Sequence, residues 1–196
     1  MKPYTFIFFG IAGSGKGTQG ELLDKYLSEH KLVEDVIYIS PGVEYRKIVD
    51  NGGYTGQLVK KISEKGLLAP DFLTTSLFTN ILISNMTEKM SFISDGYPRT
   101  ISQSESFEKA MQFYSRENIH VIYIEVGKEE AMKRMKLRAR TDDTDEGIET
   151  RFDEYINNVL PSMKYFEGKS GYNMVTINGE QSVEQVHTDI IKSLGI

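Results

Sequence analysis

A short apolar run, Tyr4-Thr5-Phe6-Ile7-Phe8-Phe9, breaks into Gly10-Ile11-Ala12-Gly13-Ser14-Gly15-Lys16, and a helical pattern starts at residue 16. This junction constrains the fold more than any other feature of the chain. Glycine admits backbone conformations closed to other residues, so successive N–H groups can turn inward around one anion. The helix that follows points its unpaired N–H groups and positive end at the same anion, and Lys16 adds a full charge. Gly10 and Gly15-Lys16 have the spacing of a P-loop, with a strand before and a helix after as that motif requires. A ligand-free glycine turn is the competing reading, and the placed lysine and both flanks weigh against it.

The rest of the chain repeats the alternation. Residues 4–9, 36–39, 91–94, 119–126 and 172–177 are short and rich in β-branched and aromatic residues. Most of them read as strands buried on both faces, as in a parallel sheet. Helical patterns fill 16–29, 72–86, 102–117, 128–138, 144–167 and 182–194. In the 144–167 segment Ile148, Phe152, Tyr155, Ile156, Val159, Leu160 and Met163 form one stripe, which predicts a single long helix. Asp143 and Glu146 are placed for its capping box, and Pro161 predicts a kink. Strand and helix in turn predict an α/β fold with crossover helices. Residues 41–70 depart from this pattern, with two helical pieces around Asn51-Gly52-Gly53-Tyr54-Thr55-Gly56 and no strand.

Composition narrows the function classes. With 196 residues the chain predicts one domain, or one domain with insertions. It has no cysteine, which excludes disulfides, thiolate zinc sites and cysteine nucleophiles. A reducing cytoplasm is the simpler setting. The apolar run at 4–9 is too short to span a membrane and no small-residue cleavage site follows it, so neither membrane insertion nor a leader is expected. A net charge of −5 argues against a protein that coats nucleic acid, while leaving room for a locally positive pocket. The 23 cations divide into 16 lysines and seven arginines: Arg46, Arg99, Arg116, Arg134, Arg138, Arg140 and Arg151. His30, His120 and His187 match no motif, and Met132 and Met135 read as core.

Three blocks carry a family resemblance. Gly10-x-x-Gly13-x-Gly15-Lys16-Gly17-Thr18-Gln19 resembles the P-loop of adenylate kinases and related nucleoside monophosphate kinases. Asp95-Gly96-Tyr97-Pro98-Arg99-Thr100 is similar to the block that follows the third strand there. Arg134-x-x-x-Arg138, Arg140-Thr141-Asp142-Asp143 and Arg151 look like the lid region and its returning helix.

The resemblance implies a P-loop NTPase-type parallel sheet flanked by helices. The core would be residues 1–40, 71–137 and 143–196, with a helical monophosphate-binding insertion at 41–70 and a minimal lid at 138–142. It implies phosphoryl transfer from Mg-ATP to AMP giving two ADP, with magnesium as cofactor and no zinc. Gly13, Ser14, Gly15, Lys16, Gly17 and Thr18 would hold ATP, flanked by Arg134, Arg138 and the loop at Gln181. Pro41, Gly42, Arg46, Ala69, Gly96 and Arg99 would hold AMP, and Gln103 would read its adenine. Arg140 and Arg151 would close over the phosphates, and Asp95 would orient magnesium-bound water. Gln103, with Thr100 where pyrimidine-directed relatives carry Asn, favours AMP. Arginine suits such work because its fork binds phosphate bidentately and stays charged.

One position departs from the common P-loop, and three features depart from the family itself. Gly17 stands where the common P-loop has a magnesium-binding Ser or Thr. Pro41 replaces a threonine whose hydroxyl contacts the acceptor base, and Val43 replaces an aspartate. Only Ala139 separates Arg138 from Arg140, so the lid is almost absent. Looser base choice and weaker water exclusion are the consequences expected. A broad or pyrimidine-directed kinase, and an ATP-binding switch without transfer activity, are the alternatives. A monomer or a small homo-oligomer, trimers included, fits the resemblance.

Overall fold

The structure, a computed structural model, describes residues 3–138 and 144–196, with the backbone alone at Asp145. Five strands form one sheet: β1 (Thr5–Phe9), β2 (Val36–Ile39), β3 (Ser91–Asp95), β4 (Ile119–Glu125) and β5 (Tyr172–Asn178). Their order is β2-β3-β1-β4-β5, and every pairing is parallel. Parallel neighbours need crossovers, and these are helical. They are α1 (Lys16–Glu29), α2 (Pro41–Asp50), α3 (Gly53–Glu64), α4 (Asp71–Asn85), α5 (Ile101–Phe113) and α6 (Lys128–Arg138). Then come α7 (Asp145–Glu154), α8 (Leu160–Lys164) and α9 (Val183–Leu194).

β1 is central and wholly buried, and its alternation separates two cores. Phe6 and Phe8 pack with Leu23 and Leu27 of α1 and with Val186 and Ile190 of α9. Ile7 and Phe9 pack on the other face with Phe78 of α4, Phe107 of α5 and Phe166. Burial on both faces is a property of the sheet centre only. In β5 only Ile177 is buried, and in β2 Ile37 and Ile39 are buried while Val36 and Tyr38 are partly so, because an outermost strand has a neighbour along one edge. A third cluster of Ile11, Ala131, Met135, Ile148 and Phe152 ties the P-loop to α6 and α7. His30 and His187 pack against Tyr26, and His120 stacks on Phe6.

Two helical segments differ from the sequence expectation. The 144–167 segment is three pieces, with a π-helical turn at Tyr155–Val159 between α7 and α8. There the Leu160 N–H bonds the Tyr155 carbonyl five residues back. Pro161 brings no N–H and crowds the preceding turn, so the helix widens instead of kinking as a plain α-helix. The wide turn shifts the stripe's phase: Ile148, Phe152 and Met163 are buried, but Ile156 is 57% exposed. The cap of α7 is Thr144, whose Oγ1 accepts the Gly147 N–H at 3.0 Å; Asp143 lies outside the described residues. α5 ends at Phe113, short of residue 117. Ser115 takes the left-handed conformation and the Arg116 N–H returns to the Met111 carbonyl, a Schellman close without the usual glycine.

Residues 41–70 contain α2 and α3 and touch the start of α7. Thr144 Oγ1 donates to the Glu64 carbonyl at 3.3 Å, and Gly66 lies so close to the Gly147 carbonyl that a Cβ there would collide with it. Among the described residues, no helix is long and apolar enough to cross a membrane.

Phe107 is fully buried among Phe78, Phe92, Tyr97 and Phe166, with ring centroids 5.7–6.5 Å away. Phe107→Ala is expected to cost about 3–5 kcal/mol in urea unfolding, the range for a buried aromatic deletion. Phe113→Ala, at a ring 80% exposed, is the control and stays within about 0.5 kcal/mol.

Candidate functional site

The sheet order places the site. In the β1–β3 ladder Phe8 lies opposite Asp95, so the loop leaving β1 and the loop leaving β3 are neighbours at the carboxyl ends of their strands. β4, which continues the chain on the other side of β1, places the switch point of the sheet here.

Gly15 caps α1 in the left-handed conformation, φ 95°, with open space around the position of a Cβ, so backbone conformation alone demands glycine. Lys16 folds back over the loop: its Nζ donates to the Gly10 and Ile11 carbonyls at 2.7 and 2.8 Å and to Ser14 Oγ at 3.4 Å. Burial lowers the Lys16 pKa to about 8; Asp95 opposes the fall, while Arg99 and Arg138 add to it. Thr18, one step along α1, is exposed. Gly17 faces Asp95, and a Cβ on it would stand 3.3 Å from Asp95 Oδ2.

The second corner follows β3. Gly96 takes φ 81°, and the Arg99 side chain folds over it, with Nε donating to the Gly96 carbonyl at 2.7 Å. Burial pulls the guanidinium below its ordinary pKa, against Asp95 and Tyr45 and with the help of Arg151. Gln103 is 1% exposed and both ends of its carboxamide are engaged. Oε1 accepts the Arg99 N–H at 2.8 Å, and Nε2 donates to Asp71 Oδ1 at 2.8 Å. Pro41 is buried at the first position of α2, where its missing N–H costs nothing, and Ala69 is buried just ahead of α4. Gly42 faces the exposed Arg46, and a Cβ on it would stand 3.7 Å from Arg46 Nη1.

The structure thus brings Asp95, Arg99 and Arg138 within electrostatic reach of Lys16, and Asp95 and Arg151 within reach of Arg99. Arg134 stands apart, its Nε on Glu130 Oε1 at 2.8 Å. Gln181 is turned back onto its own loop and α9, with Nε2 on the Asn178 carbonyl and on Asp189. Arg140 lies outside the described residues. Asp71, Ser40, Tyr38 and Tyr45 complete the site and were not singled out from sequence. Ser40 Oγ donates to Asp95 Oδ2 at 3.4 Å, and Tyr38 Oη donates to the Gly17 carbonyl at 3.3 Å. Tyr45 Oη is 2.5 Å from Thr74 Oγ1.

Among the described residues no three His, Cys, Asp or Glu side chains converge as a metal cage. One carboxylate and one hydroxyl, Asp95 and Ser40, at the foot of a phosphate loop suit magnesium that arrives with phosphates and keeps its waters.

A parallel sheet with a P-loop at its switch point and an arginine corner one strand away defines a P-loop kinase of nucleoside monophosphates. The comparisons agree. The adenylate kinase family model matches residues 8–171. An adenylate kinase of Prochlorococcus marinus (strain AS9601) is 32% identical, with 97% of each chain covered. That of Geobacillus sp. (strain WCH70) is 29% identical over 96% of this chain and 97% of its own. That of Dehalococcoides mccartyi (strain CBDB1) is 28% identical over 97% and 98%. The chain belongs to the adenylate kinase family. The relatives' names do not favour a pyrimidine kinase or an ATP-binding switch.

A phosphate bound at Lys16 would stabilise its ammonium, so nucleotide binding there is expected to raise its pKa from about 8 and take up a proton. Below that value the free protein already carries the charge and affinity is flat. Above it the ammonium is lost before binding, and ATP affinity falls by up to about tenfold per pH unit. Calorimetry between about pH 8 and 9 in two buffers of different ionisation heat measures the uptake, which Lys16→Met abolishes. Binding without proton uptake would refute this account.

Proposed function

We propose that the protein catalyses reversible transfer of the γ-phosphoryl group of Mg-ATP to AMP, giving two ADP. The observation carrying this reading is a pair of phosphate corners on adjacent strands: Lys16 on one side, Arg99 on the other, both coupled to Asp95. Transfer between two nucleotides needs no covalent nucleophile; it needs alignment and neutralisation of charge spread over several oxygens.

On this reading the backbone and side chains of Gly13 through Thr18 hold the donor phosphates, with Lys16 on the transferred group. Arg46 and Arg99 hold the monophosphate in a pocket lined by Pro41, Gly42, Ala69 and Gly96, and Gln103 reads the adenine. Arg134 and Arg138 flank the donor, the Gln181 loop meets its base, and Arg140 and Arg151 close over the phosphates. Magnesium, when bound, offsets phosphate charge, and Asp95 would orient its waters. Residues 1–40, 71–137 and 143–196 form the core of this scheme, 41–70 the acceptor insertion and 138–142 the minimal lid. A cytoplasmic location and a monomer or small homo-oligomer belong to the same proposal.

ADP supplied alone with magnesium tests it: formation of ATP and AMP requires two nucleotide sites and in-line transfer. Arg99→Ala is expected to lower turnover by about 10²–10³, the scale for loss of one charge-stabilising donor, while largely sparing ATP binding. Unchanged turnover would remove Arg99 from the mechanism. The short lid makes a second expectation: ATP hydrolysis without AMP is measurable above background, because water reaches the phosphoryl group. Hydrolysis at the background rate, with strict choice of ATP over GTP, would contradict it.

A further inference from the structure

Asp71 opens α4. Both of its carboxylate oxygens are in use. Oδ1 accepts from Gln103 Nε2 at 2.8 Å, and Oδ2 accepts from Thr100 Oγ1 at 2.9 Å. Thr100 Oγ1 in turn accepts the Gln103 N–H at 3.2 Å as the cap of α5. We propose that Asp71 is a positioning residue that locks the Gln103 carboxamide in one of its two orientations, and that this lock selects a 6-amino purine as acceptor. The inference rests on Gln103 reading the acceptor base.

The lock follows from what each partner can do. A carboxylate only accepts and a backbone N–H only donates. Asp71 therefore requires the NH₂ end of Gln103 on its side, and the Arg99 N–H requires the oxygen end on the other. Turned over, the amide would set its oxygen against a carboxylate and its NH₂ against a donor, two unmade bonds at a side chain 1% exposed. Leaving such groups unpaired in a buried place is what makes the orientation expensive to reverse.

In the locked orientation Gln103 retains one N–H and one oxygen lone pair for a ligand. That pair matches a base edge with an acceptor at N1 and an amino donor at C6. A 6-oxo purine offers a donor at N1 and an acceptor at C6, and would need the amide turned over. Rejection by mismatched polar groups is the strong form of specificity, because the wrong ligand leaves the site's own groups unpaired.

The test compares AMP with IMP as acceptor at saturating ATP, taking the ratio of their kcat/KM values. Asp71→Ala is expected to lower this ratio at least about tenfold, mostly through a higher KM for AMP, with the KM for ATP unchanged. Asp71→Asn restores the ratio, since its oxygen still accepts from Gln103 and its NH₂ can donate to Thr100 Oγ1. Gln103→Ala collapses the ratio by itself, and adding Asp71→Ala to it changes the ratio no further. Where alanine lowers the soluble yield, Asp71→Ser, too short to reach Gln103, makes the same measurement. A ratio unchanged in Asp71→Ala or Asp71→Ser, or equal losses for both acceptors, would overturn the lock and leave the Gln103 reading standing. A ratio unchanged in Gln103→Ala would overturn both.

Discussion

Phe8 opposite Asp95 is the contact on which the site depends. This parallel pairing sets the end of β1 beside the end of β3, and so sets the glycine-rich loop and Lys16 beside the Asp95 carboxylate. Gly17 is the consequence in the chain. The first turn of α1 passes so near Asp95 that a Cβ at 17 would stand 3.3 Å from its Oδ2. A Ser or Thr there, as in the common P-loop, would force one of the two to shift. The missing hydroxyl and the nearby aspartate are therefore two sides of one geometric fact.

Charge is organised around the same point. An acidic protein of net charge −5 keeps Lys16, Arg99, Arg138 and Arg151 close enough to depress the pKa of Lys16 or Arg99. Asp95 opposes that depression at both sites. On the proposed function, cations gathered against their own repulsion and short of water suit phosphate oxygens, because little solvent must be reorganised when a ligand arrives. The loop carbonyls of Gly10 and Ile11 stand in for water at Lys16, and the Gly96 carbonyl does the same at Arg99.

Much of this was legible in the chain. The five apolar runs matched the strands to within a residue or so, because short runs of β-branched and aromatic residues mark strands at the sheet edge as well as at its buried centre. The P-loop was legible because its conformation demands glycine locally. The failures came where the local signal was missing. Ser115 closes α5 in a conformation usually left to glycine, so nothing in the sequence marked the stop. The π turn at Tyr155–Val159 kept the apolar stripe readable on either side of it but moved Ile156 outward. Asp71 was passed over because its partners, Thr100 and Gln103, lie about thirty positions away and no spacing rule connects them.

The order of residues was enough to establish the alternating α/β plan, the phosphate loop at Gly10–Lys16 and the arginines that cluster in the motifs, since each depends on neighbours along the chain. It was not enough to say which of those arginines meet. Folding brought Arg99 and Arg138 to Lys16, set Arg151 by Arg99, and put Arg134 on Glu130. It also gave Gln103 an aspartate partner from another helix. Those choices follow from strand order and helix packing, which are sums over contacts distant in sequence, and so they exist only once the sheet is assembled.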